Sequence, residues 1–389
     1  MNVKEIEFPP PFELRKSILT NILKSPVVFK NQIKSWSIPW TTNELTEQYG
    51  HILLDFRIVP KSYKGISWEY QQNFVKATIF DFTSWQSEEN KILDSANSFK
   101  KYEKDQYWAY SSYNYMNMIF SETSDILQNV SWSVFGFPEI KGKESTFWLG
   151  AEGANTPCHY DSYGCNLVAQ ISGKKKWVLF PPSDSAFLYP TRIPYEESSV
   201  FSSVNILNPD LSLHPLFKKS HPHVVVLEPG DVLFVPKKWW HFVLNLDSVT
   251  VSINTWIKLD SDSESRLEES VARALMSSLI PLYAPEEEVW LNPKEELDSP
   301  EQTLNYITTS LQEVLKIKEK SSLPSKVCKT DDKSDVHSEN HEVSIDLCNN
   351  KFIEKVKCLQ FHECVENDSS YHTCYQAFQE SYWILVSCI

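Results

Sequence analysis

Between residues 145 and 257 the chain is a succession of short apolar runs separated by polar breaks, a pattern that few folds accept. TFWLG is followed by NLVAQI at 166–171, WVLF at 177–180, VVVL at 224–227 and VLFV at 232–235, and then by FVLNL and VTVSINTWI. Runs this short, rich in Val, Ile, Phe and Trp, read as strands. SGKKK between the second and third runs, and EPGD between the fourth and fifth, read as hairpin turns. Many short strands with turn punctuation predict a closed or sandwiched antiparallel barrel. The expected class is mainly β with flanking helices.

Two motifs inside that region carry chemistry. TPCHYD at 156–161 supplies His159 and Asp161, and WWH at 239–241 supplies His241. In an extended strand, positions i and i+2 face the same side, so His159 and Asp161 can both point into a barrel. Two imidazoles and one carboxylate are the ligand set that holds a non-haem Fe(II) and leaves one face open for a co-substrate and O₂. A lone His-x-Asp is a weak signal in a chain with ten histidines, and the alternative is a pair of satisfied core histidines.

Composition bounds the rest. Hydrophobic residues make up 41% of the 389 and aromatics 13%, enough for a large core. Nine glycines leave no Gly-rich phosphate-cradling loop as the main chemistry. A net charge of −14 repels phosphate backbones, so no nucleic-acid partner is expected, whereas a basic polypeptide substrate suits such a surface. The start MNVKEIEFPP lacks the apolar core of a signal peptide, and no apolar run reaches membrane-spanning length. Eight cysteines without secretory context predict reduced thiols and a cytoplasmic, or also nuclear, location. Cys158 and Cys165 read as small buried hydrophobes.

Residues 1–144 are expected to pack on the barrel, with a helix from Pro11 to about residue 24 and a strand at 26–29. YWAYSSYNYMNMIF at 107–120 reads as helix or buried strand. The Pro-rich stretch 181–223 is long for a loop and reads as a cover near the barrel mouth. Its Tyr189, Arg192, Tyr195, Glu196 and Glu197 offer contacts to a polypeptide. Residues 258–319 should hold two helices. The first, near 260–280, is capped by Asp262 or Ser263 and carries a stripe of Leu267, Val271, Leu275 and Leu279. That stripe either packs on the N-terminal helices or pairs with a second copy, and a monomer is favoured. Residues 320–349 read as a disordered linker, and 350–389 as a segment of unknown role. Within the latter, His362, Cys364, His372 and Cys374 have a spacing that fits no common zinc module.

TPCHYD, NLVAQISGKKKWVLFPP, PGDVLFVPKKWWH and VTVSINTW together resemble the JmjC-domain dioxygenases, cupin-like enzymes that use Fe(II), 2-oxoglutarate and O₂. Within that family the likeness is to small hydroxylase-type members and to members associated with a small heat-shock protein. The resemblance implies a double-stranded β-helix, or jelly roll, over 145–257, and a protein hydroxylase activity. Alternatives are a scaffold that binds a small heat-shock protein without catalysis, and a lysine demethylase. It also implies His159, Asp161 and His241 as iron ligands. Thr156, Lys175, Asn166, Asn254 and Tyr107 are implied at the 2-oxoglutarate pocket. Lys175 is anchored on Gly173, and Lys174 is the alternative one residue earlier.

Overall fold

The computed structural model describes residues 8–87, 96–283, 290–292, 295–296 and 298–322. The first third supplies strands β1 (Val27–Phe29), β2 (Leu53–Pro60), β3 (Asn73–Thr78) and β4 (Tyr107–Tyr115). The expected barrel region opens with β5 (Thr146–Gly150), β6 (Asn155–Asp161), β7 (Cys165–Ser172) and β8 (Lys175–Phe180). It continues with β9 (Pro190–Glu196), β10 (Ser199–Ser202) and β11 (His223–Leu227). It closes with β12 (Val232–Val235), β13 (Trp240–Asn245) and β14 (Thr250–Ile257). These strands form a major sheet, ordered β1-β12-β7-β14-β5-β4-β2-β3, and a minor sheet, ordered β11-β8-β13-β6-β10-β9.

From β5 to β8, and again from β11 to β14, successive strands alternate between the two sheets. That alternation makes the barrel a jelly roll, as expected. It also corrects both hairpins. β8 pairs with β13 and β11, while β7 pairs with β12 and β14, so SGKKK joins strands of different sheets. EPGD likewise carries the chain from β11 in the minor sheet to β12 in the major one. Turn chemistry is the same for a hairpin and for a corner between sheets. Gly173 shows why: it sits at φ +63, and a Cβ there would lie 2.5 Å from the Val249 carbonyl oxygen.

The N-terminal region does more than pack on the barrel. β4 pairs with β5, so β2–β4 extend the major sheet, and β1 adds to β12 at the other edge. Helices α1 (Pro11–Leu19), α2 (Thr42–Tyr49), α3 (Ile79–Gln86), α4 (Met116–Ile119) and α5 (Asp125–Asn129) bury apolar residues against that sheet. Leu14 and Ile18 of α1 join a core that includes Trp132, Phe135 and Leu149. A capping box opens α2 through Thr41 and Glu44, and another opens α3 through Thr78 and Asp81.

The stretch 181–223 is not a loop, because it holds β9 and β10, and β10 hydrogen-bonds to β6. Two prolines and scant apolar alternation in PTRIPYE concealed β9. Beyond the barrel lie α6 (Asp262–Tyr283) and α7 (Pro300–Ser322). Leu267 and Val271 of α6 pack on Val314 of α7, flanked by Leu275, Ile307 and Leu311. The stripe is therefore covered within the chain, and not by α1. Asp262 does not act as a simple cap. Its Oδ2 accepts from the backbone N–H of Leu259 (2.7 Å) and of Gly164 (3.0 Å), which ties α6 to the turn after β6. The side chain of Leu279 lies outside the described residues. So do residues 323–389, with most of the expected linker and the His/Cys pattern of 362–374. Among the described residues, no helix is long and apolar enough to cross a membrane.

Candidate active site

His159 and Asp161 project from β6 into the space between the sheets, and His241 on β13 is registered directly opposite His159. Their ligand atoms all lie within 4.8 Å of one another. His159 Nε2 is 3.8 Å from Asp161 Oδ1. Each imidazole is oriented by the backbone two residues before it. Nδ1 of His159 lies 2.9 Å from the Pro157 oxygen, and Nδ1 of His241 lies 2.9 Å from the Trp239 oxygen. A carbonyl can only accept, so both rings carry the proton on Nδ1 and turn a bare Nε2 towards the cluster. Burial, and then the neighbouring His159, push His241 well below the usual imidazole range, keeping it neutral. Trp256 Nε1 donates to Asp161 Oδ2 at 3.2 Å, which holds the carboxylate with Oδ1 towards His159. Two neutral nitrogens and one carboxylate oxygen, each held by a further hydrogen bond, fit a divalent metal ion with open positions.

The same cavity holds a lysine that meets no counter-charge among the described residues. Lys175, at the start of β8, is 2% exposed. Its Nζ donates to Ser252 Oγ at 2.6 Å and to the Tyr110 hydroxyl at 3.3 Å, both neutral. Burial lowers its pKa to about 7. A buried ammonium without an anion is unfavourable by several kcal/mol, so the position is made for an incoming carboxylate. Lys174, the alternative, is exposed and paired with Glu228 at 3.2 Å.

Thr156, Asn166 and Asn254 line the cavity with Lys175 and the three ligands. Asn254 Nδ2 donates to Asn166 Oδ1 at 2.9 Å, and Asn254 Oδ1 accepts from Trp148 Nε1 at 2.6 Å. Tyr107 is not brought to the site. It pairs with Pro60 at the start of β4, and its ring meets Tyr102. The lining tyrosines are Tyr110 and Tyr113. An offset of three along a strand reverses the face, so Tyr110 looks in where Tyr107 looks away. A bulge between Ser111 and Asn114, with Tyr113 at φ +56, then turns Tyr113 inward as well. Gly150 stands opposite Tyr110, and a Cβ there would come within 2.6 Å of the tyrosine ring. Strand alternation read from Tyr110 instead of Tyr107 was the signal available in YWAYSSYNY.

Trp148, Trp177, Ser252 and Trp256 also line the cavity and were not singled out in the sequence. Of the five contact residues expected in 181–223, four are engaged elsewhere. Arg192 forms a two-pronged ion pair with Glu269 on α6, at 2.5 and 2.8 Å. Tyr195 is buried, Glu197 accepts from the Tyr163 hydroxyl, and the Tyr189 hydroxyl accepts from the backbone N–H of Leu216. Cys158 and Cys165 are buried free thiols whose pKa burial pushes up.

A jelly roll with a His, Asp, His cluster between its sheets is the architecture of the cupin-like proteins. The profile of the cupin-like domain family matches residues 16–263, and the chain belongs to that family. Within it the chain is of the JmjC type and similar to HSPB1-associated protein 1. The protein of that name from Bos taurus is 46% identical over 293 residues, covering 74% of this chain and 60% of the relative. Shorter matches reach lysine-specific demethylase JMJ31 of Arabidopsis thaliana, 37% identical over 34% of this chain and 25% of that protein. They also reach tRNA wybutosine-synthesizing protein 5 of Homo sapiens, 39% identical over 32% of this chain and 39% of that protein.

Proposed function

We propose that this protein is an Fe(II)- and 2-oxoglutarate-dependent oxygenase that hydroxylates a polypeptide. The observation that carries the reading is the pairing, in one cavity, of two bare Nε2 atoms and a carboxylate with a buried lysine that no anion among the described residues neutralises. His159, Asp161 and His241 would hold the metal. Lys175 and Thr156 would hold the distal carboxylate of 2-oxoglutarate, with Tyr110 and Ser252 positioning the ammonium. Bound there, iron, 2-oxoglutarate and O₂ together supply an oxidant able to hydroxylate a C–H bond, with succinate and CO₂ released. Asn166, Asn254 and Trp148 form one hydrogen-bonded row that fixes the cavity wall. Trp177, Val168 and Val243 limit water around the ligands.

A second reading is favoured by the names of the relatives, which record association with HSPB1. In that reading the jelly roll is a scaffold for a small heat-shock protein and turns nothing over. The two separate on iron-dependent conversion of 2-oxoglutarate to succinate, with binding of Mn(II) and 2-oxoglutarate read by thermal shift. The oxygenase reading requires both signals in the native chain and their loss in His159→Ala. Binding of neither ligand leaves the scaffold reading.

A further inference from the structure

A second buried cation stands behind the cavity wall. Arg57 of β2 is 1% exposed, and a guanidinium, unlike an amine, is always charged. It has no ion-pair partner among the described residues. Nη2 donates to the Asn155 carbonyl oxygen at 2.7 Å, Nη1 donates to the Ser67 carbonyl oxygen, and Nε has no acceptor. Two neutral carbonyls satisfy donors without cancelling the charge. Arg192, also largely buried, shows the other arrangement in this chain, a two-pronged pair with Glu269. A permanent charge buried without an anion is unfavourable, so packing alone does not account for Arg57.

Arg57 does not line the cavity, but its contacts lead to groups that do. On the major sheet it is registered opposite Tyr110, and its Cζ lies 6.0 Å from the centre of the Tyr110 ring. The Lys175 Nζ lies 5.4 Å from the same centre. One aromatic ring thus faces two cations, neither of which meets a carboxylate among the described residues. The Tyr110 hydroxyl is bonded to Thr156 and accepts from Lys175. On the minor sheet, the carbonyl that Arg57 holds belongs to the peptide joining Asn155 to Thr156. A peptide is planar, so fixing that oxygen fixes the direction in which the chain enters Thr156. The Asn155 side chain is pinned as well: Oδ1 accepts from Ser67 Oγ at 2.8 Å, and Nδ2 donates to the Gly153 oxygen at 3.1 Å. Arg57, Ser67 and Asn155 close a ring of hydrogen bonds that ties β2 to the first residue of β6.

We propose that Arg57 is a positioning residue for the distal carboxylate of the co-substrate, acting through Tyr110 and Thr156, and that its fixed charge joins Lys175 in selecting a 2-oxo acid with a second carboxylate. This rests on the oxygenase reading of the cavity. Arg57 sets the two hydroxyls that flank the ammonium, one from each sheet. Its hydrogen bonds and ring contacts reach none of His159, Asp161 and His241, so the candidate metal ligands do not depend on it. A lysine at this place would keep the charge but could not fork between two carbonyls, and a methionine would lose both.

The test is calorimetric titration of the full chain, loaded with Mn(II), with 2-oxoglutarate and with 2-oxopentanoate, which has the same length and lacks the distal carboxylate. The readout is the ratio of the two affinities. In Arg57→Met that ratio should fall about tenfold, while binding of 2-oxopentanoate and of Mn(II) each stays within about threefold of the native chain. Arg57→Lys should lie between, with a loss of about threefold. Should Arg57→Met fail to fold, the Arg57→Lys loss carries the test. Arg15→Met, which removes a guanidinium from α1, should leave the ratio as it is. An unchanged ratio in the Arg57 variants overturns the proposal. So does a loss of Mn(II) or 2-oxopentanoate affinity as large as that of 2-oxoglutarate, which marks Arg57 as structural only. A native chain that binds Mn(II) but shows no preference for 2-oxoglutarate overturns the oxygenase reading itself, and the proposal with it.

Discussion

Replacing Lys175 by Met should stabilise the protein while abolishing its response to 2-oxoglutarate. Burial lowers the Lys175 pKa from 10.5 to about 7. Below pH 7 the amine is charged in the folded and unfolded chains alike, so the full penalty of holding it, on the order of 4–5 kcal/mol, is present. Between pH 7 and 10.5 the folded chain releases its proton while the unfolded chain keeps it, so the penalty shrinks as pH rises. At pH 9 it is about 2 kcal/mol by the same linkage. Met removes the charge at similar volume and forfeits the bond to Ser252, worth about 1 kcal/mol. The net gain is then about 3 kcal/mol at pH 7 and about 1 kcal/mol at pH 9. Urea unfolding of Mn(II)-loaded protein at both pH values measures this. Adding 2-oxoglutarate at a hundredfold its Kd should stabilise the native chain by about 3 kcal/mol and the variant not at all. A Lys175→Met protein that is less stable than the native chain at both pH values, or that still responds to 2-oxoglutarate, refutes the reasoning.

Trp256→Phe removes the hydrogen bond to Asp161 and should weaken Mn(II) binding roughly tenfold, read by titration calorimetry, with little change in melting temperature. Because burial and the neighbouring His159 hold His241 below the usual imidazole range, its ring in the metal-free chain should stay neutral from pH 7.5 down through about 6.5 and take up a proton only at lower pH, followed by NMR of the imidazole resonances. Gly173→Ala should cost about 2 kcal/mol or more in urea unfolding, since φ is positive there and Val249 blocks a Cβ. Leu275→Glu should loosen α6 from α7 and lower the melting temperature without changing the mass seen by light scattering. A native dimer that this change dissociates would place the stripe in an interface between copies.

The His159, Asp161 and His241 cluster was legible because two local rules sufficed. Strand alternation put His159 and Asp161 on one face, and the WWH motif supplied a third ligand at a strand start. Lys175 came from the family resemblance, anchored on Gly173, and the structure brings it into the same cavity. What escaped depended on partners far along the chain. SGKKK and EPGD are good turns in either setting, and what separates them from hairpins is long-range pairing, of β7 with β12 and β14 and of β8 with β11 and β13. Tyr107 came from the family resemblance, and which face of β4 looks inward is set by its pairing with β5, where Gly150 leaves room for the Tyr110 ring. β9 was unreadable because its strand character comes from pairing with β10 rather than from its own residues.

The division of labour between the sheets has a consequence for partial unfolding. His159, Asp161 and His241, with Thr156 and Lys175, stand on the minor sheet, while Asn166, Asn254, Ser252, Tyr110 and Trp256 stand on the major one. On the proposed reading a metal ion would be held by one sheet, with the Trp256 bond to Asp161 as a brace from the other, whereas the Lys175 ammonium is positioned by Ser252 and Tyr110 only where the two sheets close on each other. Loosening the contact between the sheets would therefore release the ammonium before it dispersed the three candidate ligands.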